Sequence, residues 1–159
     1  MAKRKGEAYL RPSVLDRLVG EAPGTRSDVS GPSLEAVKKS LLRDLDSLLN
    51  TRRIAFPAGD DFPEVRRSLY HYGLRDVSSM SSDSPTSRIQ LAREVEELLR
   101  LFEPRLTGIR VTVPEESKDR HRHVRFIIEA ELDVEPEPEP VTFDTVLEVA
   151  SGEFSVRGA

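Results

Sequence analysis

The chain contains no cysteine and no tryptophan, and only 6% of its residues are aromatic. The absence of cysteine excludes disulfides and zinc–cysteine sites and fits a protein of a reducing compartment. No apolar run approaches the roughly 18 residues that a membrane span needs, and the first residues contain no apolar signal region. We therefore expect a cytoplasmic protein that does not insert into a membrane.

Motifs that carry chemistry are also missing. There is no glycine-rich phosphate loop and no serine in a nucleophile-elbow sequence. His121 and His123 lie near a predicted strand start, but spacing places no third ligand, so we expect solvated histidines and no metal site. Glu96 and Glu97 lie off the apolar face of a predicted helix, where acids are usually solvated. Since few aromatics accompany a net charge of −4, we do not expect a nucleic-acid groove. Because nothing marks a carboxylic acid held in an apolar pocket, and no other catalytic motif is present, we expect neither an enzyme nor a cofactor.

The chain's 159 residues and 33% charged side chains suit one modest domain with an extension. Residues 1–32 read as that extension, in which Ser13–Val19 predicts a short amphipathic helix before a linker rich in Pro, Gly and Ser. The helix either folds back on the core or docks on a neighbour. Its candidate partner-binding residues are Val14, Leu15 and Leu18.

Residues 33–159 are predicted to form the main domain, which begins with helices. Apolar residues at helical spacing predict one helix from the N-cap Ser33 to Asn50. A short helix is predicted over residues 63–72, with Val65, Leu69 and Tyr72 facing inward, and a third from Ser84 to residue 102.

Beyond Pro104 the apolar period changes from about 3.6 to 2, which is typical of strands. Alternation predicts strands over residues 109–113, 124–134, 141–149 and 153–157, with a bulge near Thr145. Helices followed by strands indicate an α+β fold, with N-terminal helices packed on one face of a C-terminal antiparallel sheet of three to four strands.

Five stretches together resemble one known family. They are SVLDRL at residues 13–18, LRDLDSLLNTRR at 42–53, SLYHYGLRDVSSMSS at 68–82, LLRLFEPRLTGIRV at 98–111 and EPVTFDTVLEVASGEFSV at 139–156. In this order they are similar to the TssE family of type VI secretion baseplate subunits. That family is related to the wedge proteins of contractile phage tails, which often carry the label "lysozyme-like".

The resemblance implies a structural role with protein partners. Such a subunit would join TssF, TssG and TssK in the wedge of a baseplate docked at the inner membrane. It would also template the contractile sheath formed by TssB and TssC. No hydrolytic activity is carried over from the label. The alternatives are a peptidoglycan hydrolase, which would need two isolated acids in a cleft, and a generic adaptor.

The family's Glu-Pro-Arg motif is intact as Glu103, Pro104 and Arg105. An acid at a helix C-terminus is unfavourable by roughly 0.3–1 kcal/mol, so its position needs a reason. The resemblance implies that Glu103 and Arg105 grip a wedge partner. The residues themselves also allow an internal pair that joins helix to strand. The partner interpretation predicts that Glu103→Ala or Arg105→Ala leaves the fold intact and weakens wedge assembly.

A second partner surface is predicted at a sheet edge, where a sheath strand could add through backbone hydrogen bonds. One candidate is the last strand, residues 153–157, which contains Phe154 and Val156. The other is the strand that follows the proline-rich run at residues 135–140.

Overall fold

The computed structural model describes residues 13–19, 33–56, 61–77, 84–114, 122–134 and 137–158. Helices precede strands along the chain, which confirms the predicted α+β fold. The elements are α1 (Val14–Val19), α2 (Leu34–Asn50), α3 (Pro63–Arg66), a 3-10 turn (Leu69–His71), α4 (Pro85–Phe102), β1 (Leu106–Thr112), β2 (His123–Leu132), β3 (Glu139–Glu148) and β4 (Glu153–Gly158).

The sheet is an antiparallel meander in the order β1-β2-β3-β4, with β1 and β4 at its edges. Helix α4 packs on β1, and α2 packs on β4. The strand after the proline-rich run is β3, which lies inside the sheet. Its prediction as an edge was wrong, because a four-strand meander leaves only the first and last strands unpaired on one side.

The core lies between the two long helices and one face of the sheet. Every second residue of β2 is buried, as the alternation predicted. These side chains meet the leucine stripes of α2 and α4. Leu41, Leu45 and Leu99 are completely buried, and each such burial stabilises the fold by about 1.5–3 kcal/mol. The helices are therefore fixed to the sheet by apolar contact.

Both long helices begin where their capping serines predict. The Ser33 hydroxyl accepts a hydrogen bond from the Ala36 amide at 3.2 Å. The Ser84 hydroxyl accepts one from the Ser87 amide at 3.3 Å, and Pro85 occupies the first helical position. These local signals satisfy amides that would otherwise lack partners.

The short helix predicted over residues 63–72 was wrong in length and in the inward position of Leu69, whereas Tyr72 packs against the core as predicted. It ends at Arg66, and Leu69 is 81% exposed. The cause is Ser68, whose hydroxyl donates to the Val65 carbonyl at 2.7 Å and accepts from the Tyr70 amide at 3.2 Å. Such local side-chain bonds compete with helical ones and start a new turn.

The predicted bulge near Thr145 was also wrong. Thr145 pairs in unbroken register with Phe126 and Val156, and its side chain faces the core. The irregularity lies in β1, between Thr107 and Arg110, where Gly108 has φ +61°. Glycine adopts this backbone conformation without the strain that a Cβ would bring.

The division into an extension and a main domain stays a prediction. The predicted linker and His121 lie outside the described residues. Within the extension, the structure describes Ser13 and helix α1, which reaches α2 through side-chain contacts.

Candidate partner-binding site

The Glu-Pro-Arg motif forms the tight turn between α4 and β1. The Glu103 amide donates to the Leu99 carbonyl at 2.9 Å and so completes the last helical turn. The Glu103 carbonyl accepts from the Leu106 amide at 3.1 Å. Pro104 therefore occupies the second position of a four-residue turn, which its fixed φ favours. The turn folds the Arg105 side chain back over Glu103.

Glu103 and Arg105 bind each other through two parallel hydrogen bonds. Arg105 Nε donates to Glu103 Oε1 at 2.6 Å, and Arg105 Nη2 donates to Glu103 Oε2 at 2.7 Å. Their exposed fractions are only 6% and 7%. A bidentate pair with so little solvent contact is strong and directional. It accounts for the acid at the helix end, because the arginine next to it neutralises that carboxylate.

Helix α2 completes the environment of Arg105. Arg105 Nη2 also donates to Asp44 Oδ2 at 2.7 Å, and Arg105 Nη1 approaches the Ser40 hydroxyl at 3.4 Å. Burial alone would lower the pKa of this guanidinium. The hydrogen bonds and negative charges of Glu103 and Asp44 outweigh burial and raise the pKa of Arg105 overall. The motif thus joins α4, β1 and α2.

Helix α1 joins the same group through one carboxylate. Asp16 is 6% exposed, and its oxygens accept hydrogen bonds from the Ser40 hydroxyl at 2.7 Å and from Arg43 Nη2 at 2.8 Å. Burial opposes ionisation, but these two bonds and the charges of Arg43 and Arg105 lower the pKa of Asp16 overall. We call the six residues the charged cluster: Asp16, Ser40, Arg43, Asp44, Glu103 and Arg105.

Tyr72 lies close enough to two carboxylates of the charged cluster for their charges to act on its hydroxyl. Its burial raises the pKa of its hydroxyl, and the charges of Asp44 and Glu103 raise that pKa further. Its ring meets Phe102 edge to face, with centroids 5.3 Å apart. Aromatic packing thus continues beside the charged groups at the C-terminal end of α4.

The three predicted partner-binding residues of α1 point away from the core. Val14 is 68% exposed, Leu15 49% and Leu18 78%. The polar residues Ser13 and Asp16 are buried instead. The helix lies on α2, as one interpretation of its sequence expected, but with its apolar side outward. The structure therefore brings α1 together with the Glu-Pro-Arg motif and leaves its apolar side chains accessible.

The predicted residues of β4 lie elsewhere on the molecule. Phe154 is buried and packs near Phe126, with ring centroids 6.2 Å apart, and Val156 is partly buried. Phe154 lies beside the end of α2, about 15 Å along that helix from Ser40 at 1.5 Å per residue. In β4, the backbone at the sheet edge could pair with another strand, but the Phe154 side chain is buried and unavailable to a partner.

Sequence reasoning missed the charged and polar partners supplied by α1 and α2. Asp44 lies off the apolar stripe of α2, where acids are usually solvated, yet its side chain is only 13% exposed. Asp44 binds Arg105, which is 61 positions later in the sequence, and Asp16 binds Arg43, which is 27 positions later. The one available signal was the spacing of Ser40 and Asp44, which puts both on one helix face.

Protein-family models identify the class of protein that this fold and cluster belong to. Residues 35–137 match the family described as baseplate wedge protein gp25. The match includes α2, α3, α4, β1, β2 and the intact Glu-Pro-Arg turn. The chain belongs to this family of baseplate wedge proteins. No curated protein matches the chain.

Two further features of the described residues bear on other classes of protein. In the ranges that the structure describes, no helix is long and apolar enough to cross a membrane. Within those ranges, no three His, Cys, Asp or Glu side chains are grouped as metal ligands.

Proposed function

We propose that the protein is the TssE subunit of a type VI secretion baseplate, where it joins the wedge and starts the contractile sheath. The observation that carries the proposal is the family match over residues 35–137, which assigns a structural, phage-baseplate-like role. The five stretches that resemble TssE support the secretion-system assignment. The proposed wedge partners are TssF, TssG and TssK, and the proposed sheath partners are TssB and TssC.

The chemistry of the buried acids favours an assembly role over a peptidoglycan hydrolase. A glycosidase needs one carboxylic acid that carries a proton and a second carboxylate across a cleft. Glu103 is the buried glutamate of the described core, and both its oxygens accept hydrogen bonds from Arg105. It is therefore held as an acceptor and not as an acid. We propose that the protein works without catalysis, on the cytoplasmic side of a docked baseplate.

The charged cluster is the proposed rigid base of the wedge contact. Because Glu103 and Arg105 bind each other, their side chains shape the turn, and Pro104 at its tip is exposed. We propose that a wedge partner contacts this exposed turn and α1, whose mutual position the cluster fixes. The partner-binding role of Glu103 and Arg105 stays a prediction.

The proposed sheath contact is the outer edge of β4. Asn50 bonds Phe154 with both ends of its amide: Oδ1 accepts from the Phe154 amide at 2.8 Å, and Nδ2 donates to its carbonyl at 3.0 Å. The backbone of Phe154 therefore faces away from β3. Since this direction alternates along an antiparallel strand, Val156 also faces outward. Among the described residues, none bonds the outward groups of Val156.

The opposite edge is less suited to strand addition. Glu96 of α4 accepts a hydrogen bond from the Val111 amide of β1 at 3.2 Å, so one edge donor is already occupied. The irregularity at Gly108 interrupts the same strand. Carboxylates and bulges of this kind protect sheet edges from pairing. Each edge has outward backbone groups that a helix side chain already bonds, Glu96 on β1 and Asn50 on β4. The unbroken register of β4 therefore favours it as the template.

Co-purification tests the wedge role. The tagged full-length chain is expressed with TssF, TssG and TssK, and the complex is sized by gel filtration and multi-angle light scattering. A complex of fixed stoichiometry is the expected result. A well-folded chain that captures none of the three would contradict the proposal and make cell-wall digestion the next assay.

A further inference from the structure

Helix α1 is attached to the protein with its apolar side outward. The outer ridge consists of Val14, Leu15 and Leu18, each about half exposed or more. A helix that only stabilised its own domain would place such a stripe against the core. Among the side chains whose burial is described here, the buried ones are instead Asp16 and Ser13, the residue before the helix. The orientation is therefore set by polar contact.

Asp16 is the contact that fixes this orientation. It is bonded to Ser40 at 2.7 Å and to Arg43 at 2.8 Å, both on one face of α2. Ridge residues at positions 14, 15 and 18 lie on the side of the helix that this attachment leaves open. If α1 turned to bury the ridge, the Asp16 carboxylate would lose both bonds.

We infer that Asp16 is a positioning residue that holds α1 with its outer ridge ready to enter an apolar groove with an acidic rim on a wedge partner. An amphipathic helix in an apolar groove is a common mode of recognition, and residues at positions i, i+1 and i+4 form one continuous face. The inference deepens the proposed function and rests on it for the source of the groove.

Charge complementarity identifies the rim of that groove. Residues 1–20 contain five basic and two acidic residues, a formal charge of +3, whereas the whole chain carries −4. One of the two acids is Asp16, which is buried. On α2, the Arg43 side chain that binds Asp16 is 48% exposed, and Lys39 of the same helix is also exposed. A partner surface with acidic groups around an apolar groove complements this net positive charge of the sequence and the exposed cations of α2.

The direct test measures binding of the full chain to a purified TssF–TssG complex by biolayer interferometry. Val14→Ser with Leu18→Ser should weaken binding at least about tenfold, because a few buried apolar anchors dominate such contacts. Lys39→Glu should weaken it severalfold. The matched control is Ile89→Ser, since Ile89 is 50% exposed on α4 and lies outside the ridge. It should leave the affinity unchanged.

Asp16→Ala tests the positioning role, because it keeps every ridge residue. We expect weaker binding together with faster hydrogen exchange at the amides of residues 14–19. Asp16→Glu should restore part of the binding affinity and part of the protection from exchange. If Asp16→Ala speeds exchange but leaves the affinity unchanged, the positioning role is overturned.

The remaining outcomes separate this inference from the proposed function. If the wild-type chain binds neither TssF nor TssG, the proposed function fails. If the wild type binds and the ridge double variant binds equally well, only this inference fails. The ridge variant could instead stop sedimenting with phosphatidylglycerol vesicles while its binding to TssF–TssG stays unchanged. That result would assign the ridge to a lipid surface and would also overturn this inference.

Discussion

Replacing Arg105 by alanine should destabilise the fold strongly. The change removes two hydrogen bonds to Glu103 and one to Asp44, of 2.6, 2.7 and 2.7 Å. It leaves two carboxylates in an environment where Arg105 itself is 7% exposed. Breaking a buried ion pair from one side costs about 3–5 kcal/mol, against a total stability of about 5–15 kcal/mol for a domain.

Replacing Glu103, the other member of the pair, by alanine should lower the free energy of unfolding by less, about 1.5–3 kcal/mol. Arg105 would keep its bond to Asp44 and its approach to Ser40, so no cation is left alone. The difference between the two variants is therefore part of the prediction. The expectation that either alanine variant leaves the fold unaffected does not fit the burial of this pair. Assembly assays with these variants consequently need a stability measurement beside them.

Urea unfolding followed by circular dichroism measures both effects. With a slope of about 2 kcal/mol per molar urea, a loss of 4 kcal/mol moves the midpoint down by about 2 M. Arg100→Ala is the control, because the Arg100 side chain, which pairs with Glu96, is 59% exposed, and its loss should change stability by less than about 1 kcal/mol. An Arg105→Ala protein within about 0.5 kcal/mol of wild type would refute the reasoning, since surface substitutions produce effects of that size.

Three other perturbations have expected outcomes. Gly73→Ala should lower the melting temperature clearly, because Gly73 has φ +95° and a Cβ would lie 2.2 Å from the Thr51 carbonyl oxygen; a melting temperature equal to wild type would contradict this. Because the pKa of Asp16 is lowered on folding, its stabilising contribution is full above its unfolded pKa of about 3.9 and is lost as pH falls through the folded pKa. The stability difference between wild type and Asp16→Asn should therefore vanish at low pH, and a difference that persists there would refute it. Asn50→Ala should cost about 1–3 kcal/mol in urea unfolding by leaving the Phe154 amide and carbonyl without their side-chain partner, and unchanged stability would count against the edge assignment.

Local signals in the sequence predicted the helices and strands well, but they could not predict contacts between residues distant in the sequence. Ser33 and Ser84 mark helix starts because a cap bonds an amide only three residues away. Thr145 misled the strand prediction because a polar residue interrupted the apolar pattern, although its side chain keeps the inward phase. The actual irregularity follows a glycine, whose backbone freedom an apolar pattern does not register.

The site was predicted in part for the same reason. The Glu-Pro-Arg turn could be located from its proline, and the family resemblance drew attention to it. Its internal pairing depends on Asp44, which is 61 residues away from Arg105 in sequence. The outward face of α1 depends on whether Asp16 or the ridge meets α2. Periodicity gives the face of a helix but not the side that its neighbour touches.

The central claim, a wedge subunit from which the sheath starts, is tested most directly by fluorescent TssB in cells that lack this gene. The wild-type copy should restore sheaths. Val156→Pro should not, because proline removes one outward amide of β4 without taking a ladder bond from β3. Val156→Thr keeps that amide and is the matched control. The account predicts sheaths with wild type and Val156→Thr only; sheaths at normal frequency with Val156→Pro, or without the gene, would contradict it.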